Sequence, residues 1–123
     1  PLYDILKPFK GSVKGVLHSY SGSRDAMDRF IDLGFYIGFS GSVTRRTARK
    51  YHKTAQSVPS ARILLETDAP SIATETTVAS EVEPRHVLEV AKKIADLRGL
   101  DEVDVCRLAT ENAWRLFQRL PQV

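Results

Sequence analysis

Two carboxylates stand at the end of an apolar run in the segment LLETDAP, residues 64–70. The run that leads into them has no polar alternation, which predicts a strand buried on both faces, as in parallel sheets. Alternation along such a strand places Glu66 and Asp68 on the same side. Ionised carboxylates there are costly unless a positive group pairs with them, and a metal ion is one such partner. Asp68 falls at the carboxyl end of the strand, where parallel α/β folds place their chemistry.

Short strands alternate with helices along the chain, a pattern that predicts α/β architecture with a parallel sheet. Strands are expected at residues 15–18, 35–40 and 63–68. Helices are expected at residues 2–9, between Ser23 and Gly34, at 43–57, from Pro84 to Gly99, and after Asp101 with Trp114 and Phe117 in the core. Residues 71–82 are expected to form a long loop.

Three short strands make a poor sheet by themselves, so we expect them to be part of something larger. A (β/α)₈ barrel takes about 250 residues, and this chain of 123 supplies about half of that. The prediction is a single unit over residues 1–123, with the other half of the barrel absent from this chain.

Composition is that of an ordinary globular protein, with 42% hydrophobic and 27% charged residues. No apolar stretch approaches the roughly 18 residues that span a bilayer, and no signal peptide opens the chain, so a cytoplasmic location without membrane contact is expected. The single cysteine, Cys106, cannot form an internal disulfide and is expected to pack within a helix. A net charge of +3 permits a phosphate-bearing partner without requiring one.

Four sequence motifs occur in order along the chain: GVLHSYSGS at 15–23, GFYIGFSG at 34–41, LLETDAP at 64–70 and TENAWRLF at 110–117. Together they resemble the C-terminal part of a TatD-type metal-dependent deoxyribonuclease. The resemblance implies a TIM barrel of the metal-dependent hydrolase superfamily, with the strands of this chain as its sixth, seventh and eighth. The family's other metal ligands would then lie in an upstream half.

The resemblance also implies roles for individual residues. His18 matches the family's metal-binding histidine at the end of strand six. Asp68 matches the strand-eight aspartate, which binds metal and orients or deprotonates the attacking water, and would be the catalytic residue. Glu66 points the same way one layer deeper, where it could support the metal ligands or, equally, pair with an Arg or Lys inside the barrel.

The chemistry requires such residue types. Phosphodiester hydrolysis needs a nucleophilic hydroxide and neutralisation of charge on the phosphate, and a divalent metal supplies both. Imidazole and carboxylate suit Mg, Mn or Zn, so the ion is not specified. His18 and Asp68 are two ligands, whereas a catalytic site usually takes three or more from the protein. The chain is therefore expected to hold half of a site, and to need a complementary N-terminal half or another copy.

Plainer interpretations exist for each residue. A histidine such as His18 at a strand end is commonly a hydrogen-bonded structural residue, and Asp68 before Ala-Pro could form a turn. The basic run at residues 45–53 is commonly a solvated helix face, yet Arg45 and Arg46 lie near a strand's carboxyl end, where a DNA backbone could pass. His52 and His86 are expected at the surface.

Three functions remain open on the sequence alone. The first is a DNA-hydrolysing, metal-dependent nuclease of which this chain is the C-terminal portion. The second is a related metal hydrolase of another phosphoester or an amide, since this fold hosts many chemistries. The third is a non-catalytic or inactive half-barrel.

Overall fold

Three parallel strands in the order β1-β2-β3 form the sheet of this protein, which is described here by a computed structural model over residues 1–118. The strands are β1 (Gly15–Leu17), β2 (Phe35–Phe39) and β3 (Ile63–Leu65). The helices are α1 (Leu2–Leu6), α2 (Arg24–Leu33), α3 (Arg49–Ser57), α4 (Val87–Arg98) and α5 (Glu102–Leu116). The predicted alternation of strand and helix and the parallel sheet are both observed.

The central strand β2 is the most buried element. All five of its residues are buried, and it pairs in parallel with β1 on one side and β3 on the other. Ile63 and Leu64 of β3 are also buried, although they point to opposite faces. The prediction of a strand covered on both faces, drawn from its unbroken apolar run, is therefore confirmed for β3.

Local sequence signals set the ends of helix α2. The Oγ atom of Ser23 accepts a hydrogen bond from the Ala26 amide at 3.2 Å, which satisfies one of the free N–H groups of the first turn. Gly34 ends the helix with φ of 108°, a left-handed conformation that costs glycine little. Helices α4 and α5 pack on each other, and α5 packs on β3, so the sheet and helices share one core.

The basic helix begins later than the sequence predicted. Residues 41–44 form a 3₁₀ turn, and helix α3 starts only at Arg49. Thr44 fixes this turn, because its hydroxyl donates to the Gly41 carbonyl at 2.6 Å and accepts from the Glu75 amide at 2.8 Å. Arg45 then adopts an extended conformation. The expected helix over residues 43–57 is thus wrong in its first six residues, where a side chain competes for the backbone groups.

The other differences lie at the ends of elements. Strand β3 ends at Leu65, so Asp68 stands three residues beyond the paired segment. Helix α5 ends at Leu116, and Phe117 is 49% exposed where the sequence predicted a core residue. Trp114 is half-buried.

Strands β1 and β3 are the two lateral edges of the sheet, since within residues 1–118 no further strand pairs with either of them. Apolar side chains remain exposed on the segment before β1, at Leu2, Ile5 and Phe9. Among the described residues, no helix has both the length and the apolar character that crossing a membrane requires.

Candidate metal centre

The carboxyl ends of β1 and β3 bring His18 and Asp68 together. His18 follows β1 directly, and because the strands run in parallel, the residues after β3 emerge at the same edge of the sheet. Nε2 of His18 and Oδ1 of Asp68 lie 2.7 Å apart. The His18 side chain is 56% exposed and that of Asp68 26%, so the two donor atoms meet at an accessible position.

Asp68 combines two structural roles. Its backbone carbonyl accepts hydrogen bonds from the amides of Ser71 and Ile72, which turns the chain after β3. Its side chain meanwhile faces His18. The turn-forming interpretation of Asp68 therefore holds for the backbone, and it leaves the carboxylate available for other contacts.

Glu66 lies behind His18 at the inner side of this edge. Its Oε2 is 2.8 Å from Nδ1 of His18, and its side chain is only 17% exposed. Its Oε1 accepts a hydrogen bond from the backbone amide of Ser19. The alternative of an Arg or Lys partner is not observed, since within residues 1–118 the ion-pair partner of Glu66 is His18.

The two carboxylates change the acid–base properties of the imidazole. The hydrogen bond with Glu66 is the strongest influence and raises the pKa of His18; burial acts in the opposite direction, and Asp68 adds a smaller raising effect. Ionised carboxylate oxygens can only accept hydrogen bonds, so both ring nitrogens are best satisfied when they carry protons. Any cation that binds at Nε2 must compete with a proton there.

The donor atoms fit a divalent ion as part of a site. In octahedral coordination, neighbouring ligand atoms about 2.1 Å from the ion and at right angles to each other lie about 3 Å apart, close to the observed separation of 2.7 Å between His18 and Asp68. Glu66 contacts the other ring nitrogen, an arrangement that orients ligating histidines in many metal sites. Within residues 1–118, however, no three His, Cys, Asp or Glu side chains gather in a way that would hold a metal. The described residues provide two donors and their support, fewer than the three that catalytic zinc sites usually draw from protein.

Two residues of this centre were not identified from the sequence. Ser19 has a φ of 46°, unusual for a residue other than glycine, and this conformation accompanies the contact of its amide with Glu66. Gly38 lies in β2 directly beneath the Glu66 carboxylate. A glycine inside a strand indicates close approach of another group, so Gly38 carried a readable signal. The backbone angle of Ser19 carried none.

The two arginines expected near a nucleic acid differ in their surroundings. Both lie in the exposed loop that follows β2, at the same carboxyl edge as His18 and Asp68. Arg46 pairs with Glu75 through its Nε at 2.9 Å and its backbone amide at 3.1 Å. Arg45 forms no salt bridge to any residue that the structure describes.

The remaining histidines and the cysteine lie outside this centre. Nε2 of His52 is 3.0 Å from the Val43 carbonyl, and Nδ1 of His86 accepts a hydrogen bond from the Glu83 amide at 2.7 Å. Both are half-buried, so they lie at the surface, as expected, with part of each ring covered by these contacts. Burial raises the pKa of the Cys106 thiol, which disfavours the reactive thiolate and agrees with a packing role.

The family model and the similar proteins found by comparison all point to one family. The family model described as TatD related DNase matches residues 1–118. The chain is 40% identical over 103 residues to YcfH of Escherichia coli K12, described as an uncharacterized metal-dependent hydrolase, with 84% of this chain and 39% of that protein covered. It is 30% identical over 123 residues to "Putative deoxyribonuclease tatdn3-B" of Xenopus laevis, covering 100% of this chain and 46% of that protein.

Solved structures give the same fold. The TatD homologue YJJV of E. coli K12 superposes with a TM-score of 0.88 and 30% identity, covering 98% of this chain and 46% of that chain. A TatD-family hydrolase of Entamoeba histolytica has a TM-score of 0.74 at 16% identity, with 92% of this chain and 45% of that chain covered. The chain thus spans less than half the length of each of these relatives.

Proposed function

The chain belongs to the TatD-related DNase family of metal-dependent hydrolases, and from this membership we propose that it carries part of the active centre of a deoxyribonuclease that hydrolyses phosphodiester bonds. The observation that carries the proposal is the convergence of His18 Nε2 and Asp68 Oδ1 at the carboxyl edge of a parallel sheet. The deoxyribonuclease assignment draws on the family description and on the name of the Xenopus relative.

In the proposed mechanism His18 and Asp68 would hold a divalent ion, and Glu66 would keep the imidazole in place. When bound, the ion supplies a nucleophilic hydroxide at neutral pH and neutralises charge on the phosphate. Asp68 orients the attacking water and accepts its proton, a role suited to a carboxylate that is 26% exposed and so within reach of solvent. Mg, Mn and Zn all remain compatible with one imidazole and one carboxylate.

The complete centre requires more protein than the described residues. We propose that β1 and β3 are strands six and eight of a (β/α)₈ barrel and that a complementary N-terminal half closes it. Within residues 1–118, both strands have open edges. A groove of about 260 Å³ lies beside β3, lined by residues that include Leu65, Cys106 and Ala109. Such a surface suits the apolar packing of a neighbouring βα unit.

A chimera tests the function directly. In it, this chain replaces the matching 103-residue segment of YcfH, so that the rest of a related hydrolase supplies the missing part. We expect metal-dependent cleavage of DNA. Asp68→Asn, which keeps the shape but removes the charge, should lower turnover by roughly 10²-fold or more. His18→Ala should weaken metal binding, so that excess ion partly restores activity.

The matched control is Asp96→Asn, because Asp96 is an exposed aspartate on α4, outside the centre. It should leave turnover unchanged. Cleavage of phosphomonoesters or amides without cleavage of DNA would favour a different metal hydrolase. Full metal-dependent activity in the Asp68→Asn chimera would show that this carboxylate is structural and that the mechanism is wrong.

A further inference from the structure

Gly38 occupies a position where a side chain would collide with Glu66. An ideal β-carbon built on Gly38 would lie 2.5 Å from Oε2, 2.7 Å from Cδ and 2.8 Å from Oε1 of Glu66. Real β-carbons essentially never approach other heavy atoms this closely. Gly38 is not among the glycines with positive φ, so the requirement at this position concerns space and not backbone conformation.

The Glu66 carboxylate uses this space to make both of its contacts. Its Oε2 lies 2.8 Å from Nδ1 of His18, and its Oε1 accepts a hydrogen bond from the backbone amide of Ser19. The carbonyl of Gly38 also accepts the amide of Tyr20 at 3.0 Å. The backbone of Gly38 therefore holds the turn at residues 18–20 through Tyr20. Because Gly38 has no side chain, the Glu66 carboxylate has room to hold the same turn through His18 and Ser19.

A neighbouring pair of hydroxyls fixes the same turn from the carboxyl end of the central strand β2. Oγ of Ser19 lies 2.7 Å from Oγ of Ser40, and Ser40 is buried. Ser19 keeps a left-handed backbone, which is strained in a residue other than glycine, so surrounding contacts must hold it. The amide bond to Glu66 is one of those contacts.

We propose that Gly38 is a positioning residue that acts through Glu66 on His18. By leaving room for the carboxylate, it keeps Glu66 on Nδ1 and so directs Nε2 of the ring toward Asp68. The importance of this arrangement for metal binding rests on the proposed function. The steric relationship between Gly38, Glu66 and Ser19 does not.

The Glu66 side chain can rotate away from a β-carbon at position 38. A positioning role for Gly38 therefore has different consequences from a general role in packing. The atoms that a β-carbon would strike all belong to the far end of the Glu66 side chain. That side chain is 17% exposed, so rotation about its bonds can carry the carboxylate away while the sheet remains intact. Gly38→Ala should therefore disturb the centre far more than the fold.

The test uses ¹H–¹⁵N NMR on the full metal-free chain, with the Ser19 amide as the reporter. A hydrogen bond to a carboxylate shifts an amide proton downfield. In Gly38→Ala this resonance should move upfield toward its position in Glu66→Ala, where the acceptor is gone. In the double variant, Gly38→Ala should add no further change, because the collision partner has been removed. Ile37→Val, a truncation in the same strand on the opposite face, should leave the Ser19 resonance in place.

Metal affinity provides the second readout. Loss of a residue that orients a ligating histidine typically weakens metal binding 10–100-fold. Titration of Mn²⁺ should give a dissociation constant at least tenfold higher for Gly38→Ala than for the unsubstituted chain, and Ile37→Val should not change it.

Several outcomes would overturn the proposal. One is a Ser19 amide that does not move in Gly38→Ala. Another is a loss of stability from Gly38→Ala that is equally large with and without the Glu66→Ala substitution, which would indicate general packing.

If Gly38→Ala alone does not fold, folding of the double variant supports the collision, and failure of both variants to fold contradicts it. A shifted Ser19 amide in a chain that binds no Mn²⁺ at this centre would contradict the proposed function and still support the role of Gly38.

Discussion

Nε2 of His18 and Oδ1 of Asp68 lie 2.7 Å apart although 50 residues separate them in the chain. The two residues follow different strands, β1 and β3, and β2 lies between these strands in the sheet. Parallel pairing on both sides of β2 aligns the three carboxyl ends, so residues after β1 and β3 can reach across the edge of the central strand. The contact is therefore a consequence of the sheet topology.

The two arginines near this edge should contribute unequally to DNA binding. Arg45→Ala in the YcfH chimera should reduce the slope of log affinity against log salt concentration by about 1, because one phosphate contact is lost. Arg46→Ala should have a smaller effect, since Arg46 already pairs with Glu75. Fluorescence anisotropy with a DNA duplex at several salt concentrations measures both slopes.

Glu75→Gln is the control for this comparison. It removes the partner of Arg46 and leaves Arg45 untouched, so affinity should rise modestly and the effect of Arg46→Ala should grow. Equal slopes for Arg45→Ala and the unsubstituted chimera would exclude a phosphate contact at Arg45.

The Glu75–Arg46 pair should depend on pH in a defined direction. The Arg46 backbone amide, followed by its side chain, holds the pKa of Glu75 below its ordinary value of 4.5, although slight burial opposes the shift. A carboxyl with a lowered folded-state pKa stabilises the fold above its ordinary pKa, and this contribution disappears as pH falls through the folded value. Titration of the Glu75 carboxyl carbon by NMR should show the low pKa. Arg46→Ala should raise it only in part, because the backbone amide remains, and an unchanged pKa would contradict the role of the Arg46 side chain.

Asn112 should be important for stability. Its side chain is fully buried, and its amide nitrogen donates to the carbonyls of Ser60 and Ile63, each at 2.8 Å. Asn112→Ala would leave both carbonyls without this donor, at a cost of about 2–4 kcal/mol in the free energy of unfolding. Urea denaturation measures this loss. Thr110→Ala, at an exposed position on the same helix, should change stability by no more than about 0.5 kcal/mol, and a similarly small effect of Asn112→Ala would contradict the account.

The isolated chain should associate with other copies of itself. Open strand edges bind further strands, and Leu2, Ile5 and Phe9 are each more than half exposed. Light scattering after size-exclusion chromatography should show a mass that rises with concentration. The double substitution Ile5→Glu and Phe9→Glu should reduce it. Val78→Glu, an equally exposed apolar site in the loop before α4, serves as the control. A monodisperse monomer with a cooperative melting transition would count against this expectation.

Much of the arrangement was predictable from the sequence. The unbroken apolar run at residues 63–65 predicted a strand buried on both faces, and the alternation of strands and helices predicted the parallel sheet. The placement of His18 and Asp68 at one edge followed from these two features. Their roles in binding metal, like those of Glu66, Arg45 and Arg46, remain predictions.

Other features depended on contacts between distant residues. The start of α3 was predicted six residues too early, because the pattern of residues 43–48 does not reveal that Thr44 binds the Glu75 amide. The partner of Glu66 was left open between a metal-binding centre and a basic side chain, and only the fold places His18 and Ser19 beside it. Phe117 has an apolar side chain at helical spacing, but the helix ends one residue before it.

Paramagnetic broadening by Mn²⁺ in ¹H–¹⁵N spectra of this chain tests the central claim most directly, because it detects even a weak site and locates it. The claim predicts that the amides of His18, Ser19 and residues 66–68 broaden first, and that His18→Ala and Asp68→Asn abolish this localised effect. Asp96→Asn should leave it unchanged. Broadening centred elsewhere, such as at the acidic start of α5, or broadening that persists in Asp68→Asn, would contradict the assignment of His18 and Asp68 as metal ligands.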